Sequence, residues 1–392
     1  MQRRFAGLIG AAAAAVTLAA GLPGVANAAV TWTIQPVPLP PSTRGGELSG
    51  VACPASTFCL ATDVTGASNG TPVIEAWNGS AWAVQLLPLP SGINTGSVTA
   101  VSCVSASSCV ATGSYPNVDL QNMLAEVWNG STWTPMTLPE PPGSYNDGVL
   151  EAVSCVSATN CTAVGSYGTP ASSALGLPLA EHWNGSTWKV QYPPAPAGSG
   201  DSTLYGVSCP TATSCTAVGS WQTGQGYAAF IERGSGSSWT VGTGSLPAGA
   251  TGGGLSAVSC TSSSACIAAG AYTGGSAGTG GRPLAMRYSH GSWTASQPPI
   301  PATRSGGLTG ISCVLTPAGV SDCTAVGVAT LNANNALAEY WNGRQWAQQP
   351  TAAPASGKTL AGVSCAADGT CTAVGSQLVK TSNYYQMLAE QN

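Results

Sequence analysis

The run LEAVSCVSATNCTAVGSY at residues 150–167, followed after a variable stretch by PLAEHWNGSTWKVQ at 178–191, decides the fold. It holds four short apolar segments of strand length, separated by turn residues. Leu150 to Cys155 is the first and Cys161 to Gly165 the second. Leu179 to Trp183 is the third, and the fourth starts near Trp188. The same frame recurs seven times, marked by the pairs Cys53/Cys59, Cys103/Cys109, Cys155/Cys161, Cys209/Cys215, Cys260/Cys266, Cys313/Cys323 and Cys365/Cys371. Successive first cysteines lie 50, 52, 54, 51, 53 and 52 residues apart. A period near 50 with four short strands per unit is the signature of a β-propeller blade. Length alone, 392 residues, would suggest two or three domains. The regularity instead gives one all-β domain, a propeller of seven four-stranded blades.

The ends of the chain complete each other. The last repeat stops at Leu388-Ala389-Glu390-Gln391-Asn392, inside its third strand. Val30-Thr31-Trp32-Thr33-Ile34-Gln35 has the pattern of a fourth strand, as in Ser131-Thr132-Trp133-Thr134-Pro135-Met136. The N-terminal strand is therefore expected to close the seventh blade, which removes the open edge a ring seam would leave.

Residues 1–28 read as an export signal. Arg3 and Arg4 precede an apolar run over residues 6–20, and Ala26-Asn27-Ala28 has the small-residue pattern of a cleavage site. The propeller then occupies residues 29–392, no segment of which is long and apolar enough to predict a membrane span. Export to an oxidising compartment places the protein as secreted, extracellular or associated with the cell surface. There each cysteine pair is expected to be a disulfide stapling the first two strands of its blade. The loop between them has five residues, or nine in the sixth blade. A ring this small contributes roughly 2 kcal/mol in the loop-entropy account. C-x5-C without nearby histidine is poor zinc spacing, so no metal or other cofactor is expected.

The order V-G-S-Y, L-A-E-x-W, hairpin turn, Trp and proline resembles the kelch repeat, which carries a diglycine, an aromatic, a Glu-x-aromatic pair and a later Trp on a four-stranded blade. Ser114, Ser166, Ser220 and Ser376 stand at the second glycine. A G-x-T-W fragment (Gly130 to Trp133, Gly185 to Trp188) resembles the Asp-box of sialidase-type propellers, with Trp128 or Trp183 at its acidic position. The resemblance implies a fold; propellers host many functions.

Several repeated residues are read as structural. Asn78-Gly79, Asn129-Gly130, Asn184-Gly185 and Asn342-Gly343 suggest type I′ hairpins between strands three and four. If that turn has two residues, Glu126 faces Trp133; if four, Trp128 does. Glu75, Glu126, Glu181, Glu232, Glu339 and Glu390 share one position, with Met286 in the fifth blade. A catalytic pair would break the symmetry that these acids obey.

Only 7% of residues are charged, 11 of them basic, and the formal net charge is −4. That excludes a nucleic-acid groove. His182 and His290, the two histidines, belong to no recognisable triad. Function is expected on the face that carries the variable strand two–three loops and interblade links. Tyr115, Tyr167, Trp221 and Tyr272 open that loop in four consecutive blades, either as a ligand-facing arc or as wedges between blades. Asp63, Asp119, Asp147 and Asp201 are the asymmetric acids, and Lys358 is placed among the loop charges of the same face. Two functions follow. One is a non-enzymatic binding or scaffold module, a monomer contacting glycan or extracellular protein. The other is a glycan-active enzyme, a glycoside hydrolase or sialidase-like, whose acids would lie about 5 Å apart if retaining or roughly 6.5–9.5 Å if inverting.

Overall fold

A computed structural model describes residues 31–392 except 67–69, 118–119, 145–146, 170–175, 199, 243, 276–279, 301–304, 320, 331–333, 353–356 and 380–383. The described strands form seven four-stranded antiparallel sheets, one per repeat. In blade three the strands are Gly148–Ser157, Asn160–Gly168, Gly176–Trp183 and Trp188–Gln191. The first strand of each blade meets the first strand of the next, so these strands form the inner wall. The seventh sheet closes as expected: Thr33–Gln35 pairs antiparallel with Tyr384–Gln391, Ile34 opposite Glu390.

All seven disulfides join first and second strands within one blade: Cys53–Cys59, Cys103–Cys109, Cys155–Cys161, Cys209–Cys215, Cys260–Cys266, Cys313–Cys323 and Cys365–Cys371. The staples fall where the spacing placed them, and the second cysteines also do more than close their own blades. Cys59, Cys109, Cys161, Cys215, Cys266, Cys323 and Cys371 are all buried, so they are core residues and offer no surface site. Their sulfurs lie against the preceding blade. The Thr372 hydroxyl reaches Cys59 Sγ at 3.7 Å, Thr162 reaches Cys215 at 3.6 Å, and Thr324 reaches Cys371 at 3.6 Å. A disulfide sulfur has no hydrogen to give, so the threonine is the donor. Cys109, Cys161 and Cys323 have no such donor, because Leu60, Val110 and Ile267 stand where the remaining four blades carry threonine, and each shares an apolar cluster with the sulfur it faces. The staple thus belongs to the interblade packing as well as to its own sheet.

The repeated letters now have physical reasons. Apolar side chains fill seven clusters, each shared by adjacent blades; Val110, Met123 and Ala125 of blade two pack on Leu150 and Val153 of blade three. The serine of each Val-Ser-Cys accepts a hydrogen bond from the cysteine N–H of the following blade, as Cys155 N to Ser102 Oγ at 3.0 Å and Cys209 N to Ser154 Oγ at 3.0 Å. The same bond closes the ring from Cys53 N to Ser364 Oγ. Ala52 stands in place of that serine in blade one and has no hydroxyl to offer Cys103. The Ala or Gly two residues before it faces the next inner strand: a Cβ on Gly310 would lie 3.0 Å from Ala361 O.

The glycine ending Cys-Thr-Ala-Val-Gly sits opposite a β-bulge, Gly165 facing Leu150 and Gly219 facing Leu204. A Cβ on Gly219 would penetrate the carbonyl oxygen of Thr203. Replacing Gly219 by Ala is therefore expected to cost about 3 kcal/mol, read as a lowered midpoint in denaturant melts; an unchanged midpoint would show that the strands can part. Blade one lacks this glycine and shows the alternative. There the register jumps from Leu48/Asp63 to Val51/Ala61. The Thr62 hydroxyl enters the gap, accepting from Gly50 N at 2.9 Å, and Asp63 occupies the glycine position.

Outer strands follow a second code. In five blades the tryptophan that opens the fourth strand donates to a side chain three residues past its counterpart in the preceding blade. Trp133 Nε1 reaches Gln85 Oε1 at 3.1 Å, Trp239 reaches Gln191 at 2.7 Å, and Trp82 reaches Gln35 at 2.9 Å. The buried indole nitrogens of Trp188 and Trp293 meet no partner among the described residues, since that residue is Met136 or Gly242.

The hairpin expectation needs correction. Trp128 pairs with Trp133 and Glu126 with Pro135, so the Asn-Gly turn has four residues. The asparagine caps it: Asn129 Oδ1 accepts from Ser131 N and Thr132 N, each at 2.9 Å. Only the glycine takes positive φ, +97° at Gly130. Two-residue turns occur where Asn-Gly is missing, in Ser289-His290-Gly291-Ser292 and Ser235-Gly236-Ser237-Ser238.

Candidate functional site

The short Cys loops and the strand three–four turns lie on one face, and the strand two–three hairpins and interblade links on the other. This second face was expected to carry function. The four aromatic residues that open its strand two–three loops, Tyr115, Tyr167, Trp221 and Tyr272, pack backwards onto the preceding blade's cluster. Tyr115, Tyr167 and Trp221 are half-buried, whereas Tyr272 is 2% exposed and belongs to the core. Tyr272 therefore offers no ligand-facing ring, which corrects the expected arc at that position.

The acids are not gathered either. Asp63 is fully buried, and its Oδ1 accepts from Thr65 N at 2.8 Å and Thr65 Oγ1 at 2.5 Å. Burial pushes its carboxyl up, against the opposing pull of those bonds. As a sealed group it is no surface ligand, a further correction. Asp147 and Asp201 tie the links to the hairpins. The Asp147 carbonyl accepts from Gly168 N, and the half-buried Asp201 side chain accepts from Gly176 N. Asp119 lies outside the described residues. Lys358 is also corrected: it is 2% exposed and paired with Glu390, not a loop charge.

Two clefts open on this face. One, of about 300 Å³, lies beside Tyr115 against Pro90, Ser91 and the segment Pro135–Leu138. Glu140 lines it with a buried Oε2 that meets no partner among the described residues, and burial raises its carboxyl. The other, of about 420 Å³, lies between blades four and five. Its floor is Gly252-Gly253-Gly254, part of the 13-residue strand Ala250–Ser262. Tyr227 stands at its wall, 54% exposed, with Gln225, Thr251 and Thr273 around it. Among the described residues, none that lines this cleft is charged.

The inner wall carries a column that sequence reasoning treated as variable. The bulge residue of each first strand is Ser49, Thr99, Glu151, Tyr205, Ser256, Thr309 or Ala361. Thr99 and Thr309 donate across to the next blade, to Leu150 O at 2.9 Å and Leu360 O at 2.7 Å. Glu151 and Tyr205 depart from the small side chains of the other blades; burial raises the Glu151 carboxyl, while Tyr205 is exposed. The residue after the leucine that opens each first-strand motif, Glu151 after Leu150 and Tyr205 after Leu204, was the available signal. No group of three or more metal-ligating side chains occurs among the described residues.

No family model matches the chain, and no curated protein does. Solved structures do. The chain is similar to "YCF48 bound to D1 peptide", with a TM-score of 0.54, 11% identity, and 92% of this chain and 94% of that one covered. It is also similar to a polysaccharide lyase, an ulvan lyase, with a TM-score of 0.53, 10% identity, and 88% and 94% covered. The six-bladed lectin of Aleuria aurantia aligns with a TM-score of 0.47 and 16% identity, covering 78% and 97%. At these identities the likeness shows the propeller fold alone.

Proposed function

We propose that this chain is a secreted, non-enzymatic binding or scaffold propeller, kelch-like in its repeat. On this reading it takes a neutral glycan or an extracellular protein segment on the face of the strand two–three hairpins and links. The cleft beside Tyr227 carries the reading. An exposed aromatic ring next to a floor without side chains suits the flat face of a sugar or an extended backbone, and the polar residues around it are uncharged. Seven disulfides fit an extracellular setting, and no helix among the described residues is long and apolar enough to cross a membrane. Against the enzyme reading, Asp63, whose charge bears on Glu75, is sealed from solvent, as is Glu75.

Glycan-array binding and an extracellular-protein pull-down with the mature chain test this function. Tyr227→Ala, at an exposed position, is expected to fold normally and weaken binding about five- to tenfold. Silence in both assays, or binding that Tyr227→Ala leaves unchanged, would remove the site.

A further inference from the structure

Arg233 and Arg287 occupy the same third-strand position in blades four and five, facing Thr216 and Ile267 respectively. Arg233 is fully engaged in the groove towards blade five. Its Nη1 donates to Thr216 Oγ1 at 3.0 Å and its Nη2 to Ser263 O at 2.6 Å, and the guanidinium lies 4.2 Å from the centre of the Tyr288 ring. Arg287 enters the next groove, towards blade six, and finds neither polar partner among the described residues. Ile267 replaces the threonine, and the Cys loop that would present the carbonyl is the extended one between Cys313 and Cys323. Its hydrogen bond among the described residues runs from Nη2 to Ser289 Oγ at 3.2 Å.

The same extension frees a second donor. Trp77, Trp128 and Trp183 each give their indole N–H to a carbonyl of their own Cys loop, at 3.1, 3.0 and 3.1 Å. Trp341, their counterpart in blade six, makes no such bond among the described residues. What remains is a cavity of about 240 Å³ with Trp341 in its wall, the Tyr288 ring being turned to the other side of its strand, under Arg233. Arg287 and the hydroxyls of Thr261, Ser289 and Ser321 face it, the Thr261 and Ser321 oxygens lying 2.6 Å apart across the two blades. Among the described residues no acid lines it; Asp322, adjacent to Ser321, is already held by Tyr340 Oη at 2.7 Å.

We propose that this groove, on the face of the Cys loops, binds a hexuronate residue, a sugar ring bearing a carboxylate. A guanidinium with a single side-chain bond among the described residues keeps donors for the planar fork that a carboxylate matches. The Trp341 indole suits the ring face and the hydroxyls suit its O–H groups. The volume is at the small end for ligand sites, which fits one ring. The site is on the opposite face from the Tyr227 cleft and is independent of it.

Calorimetric titration of the mature chain with glucuronate, glucose and acetate tests it. Saturable glucuronate binding is expected, with glucose and acetate each weaker by at least about tenfold. Arg287→Gln, at an exposed position and so expected to melt like the parent, should weaken glucuronate at least about tenfold, while Tyr227→Ala should leave it unchanged. Glucose or acetate binding as tightly as glucuronate, no saturable glucuronate binding, or indifference to Arg287→Gln would each overturn the assignment.

Discussion

A chain that begins at residue 37 is expected to melt about 10 °C or more below one that begins at residue 29. The deletion removes the outer strand of the seventh blade and Trp32 with it. Trp32 is buried in the cluster that Leu360, Val363 and Leu388 share with Val326 and Ala338 of blade six. Losing a buried tryptophan costs about 3–5 kcal/mol by itself. Further bonds go too: Gln35 Nε2 to Gln391 Oε1 at 2.8 Å, and Trp82 Nε1 to Gln35 Oε1, which ties blade one to blade seven. Without the strand, Tyr384–Gln391 becomes a bare edge between two blades, a site for intermolecular pairing. Calorimetry or circular dichroism of the two chains decides the matter. Coincident melting would mean that the ring holds without its closing strand.

This closure was legible because it needs only a comparison between repeats: Trp32-Thr33-Ile34-Gln35 matches a column that six blades fill elsewhere. The disulfides and strand order were legible for the same reason. What escaped was whatever depends on the neighbouring blade. Cys59, Cys215 and Cys371 pair within their blades as the spacing implies, yet the threonines that meet their sulfurs belong to the blade before. Lys358 looks like a loop charge in the chain, yet its partner Glu390 is 32 residues away across the sheet. Tyr272 looks like its counterparts Tyr115 and Tyr167, yet it is sealed by the packing between blades four and five. The Asn-Gly turns misled because asparagine can either adopt positive φ itself or cap a longer turn through its side chain, and here it does the second.

Departures from sevenfold symmetry therefore carry more information than the repeat does. Ile267 for threonine and four extra residues after Cys313 leave Arg287 and Trp341 with donors that their counterparts spend. The triple glycine at 252–254 turns an interblade seam into a cleft. Each is a local substitution whose effect appears only against the blade that follows.

Raising the pH from 5 to 8.5 is expected to lower the melting temperature, and the repeated glutamates are the cause. Glu75, Glu126, Glu181, Glu232 and Glu339 are fully buried, with neither carboxylate oxygen meeting a partner among the described residues. Burial pushes each up to about 8 from an ordinary 4.5. A carboxyl raised on folding is protonated more readily in the native chain than in the unfolded one. Its contribution is fully present below about 4.5, declines as the pH rises above that, and is gone once it has passed about 8. Glu126→Gln removes one titrating group and should flatten the pH profile. Glu390 differs because Lys358 Nζ meets it, while Ala352 N donates to its Oε2 at 3.2 Å. Glu390→Gln strands the buried ammonium, and breaking such a pair costs about 3–5 kcal/mol. Lys358→Met instead leaves a carboxyl in the position of the other five, where it can take a proton. The lysine variant should therefore lose far less stability at pH 5 than at pH 8.5, while the glutamine variant is crippled at both. Equal losses for the two variants at pH 5, or a wild-type melting temperature that rises between pH 5 and 8.5, would show that these carboxyls are held as anions.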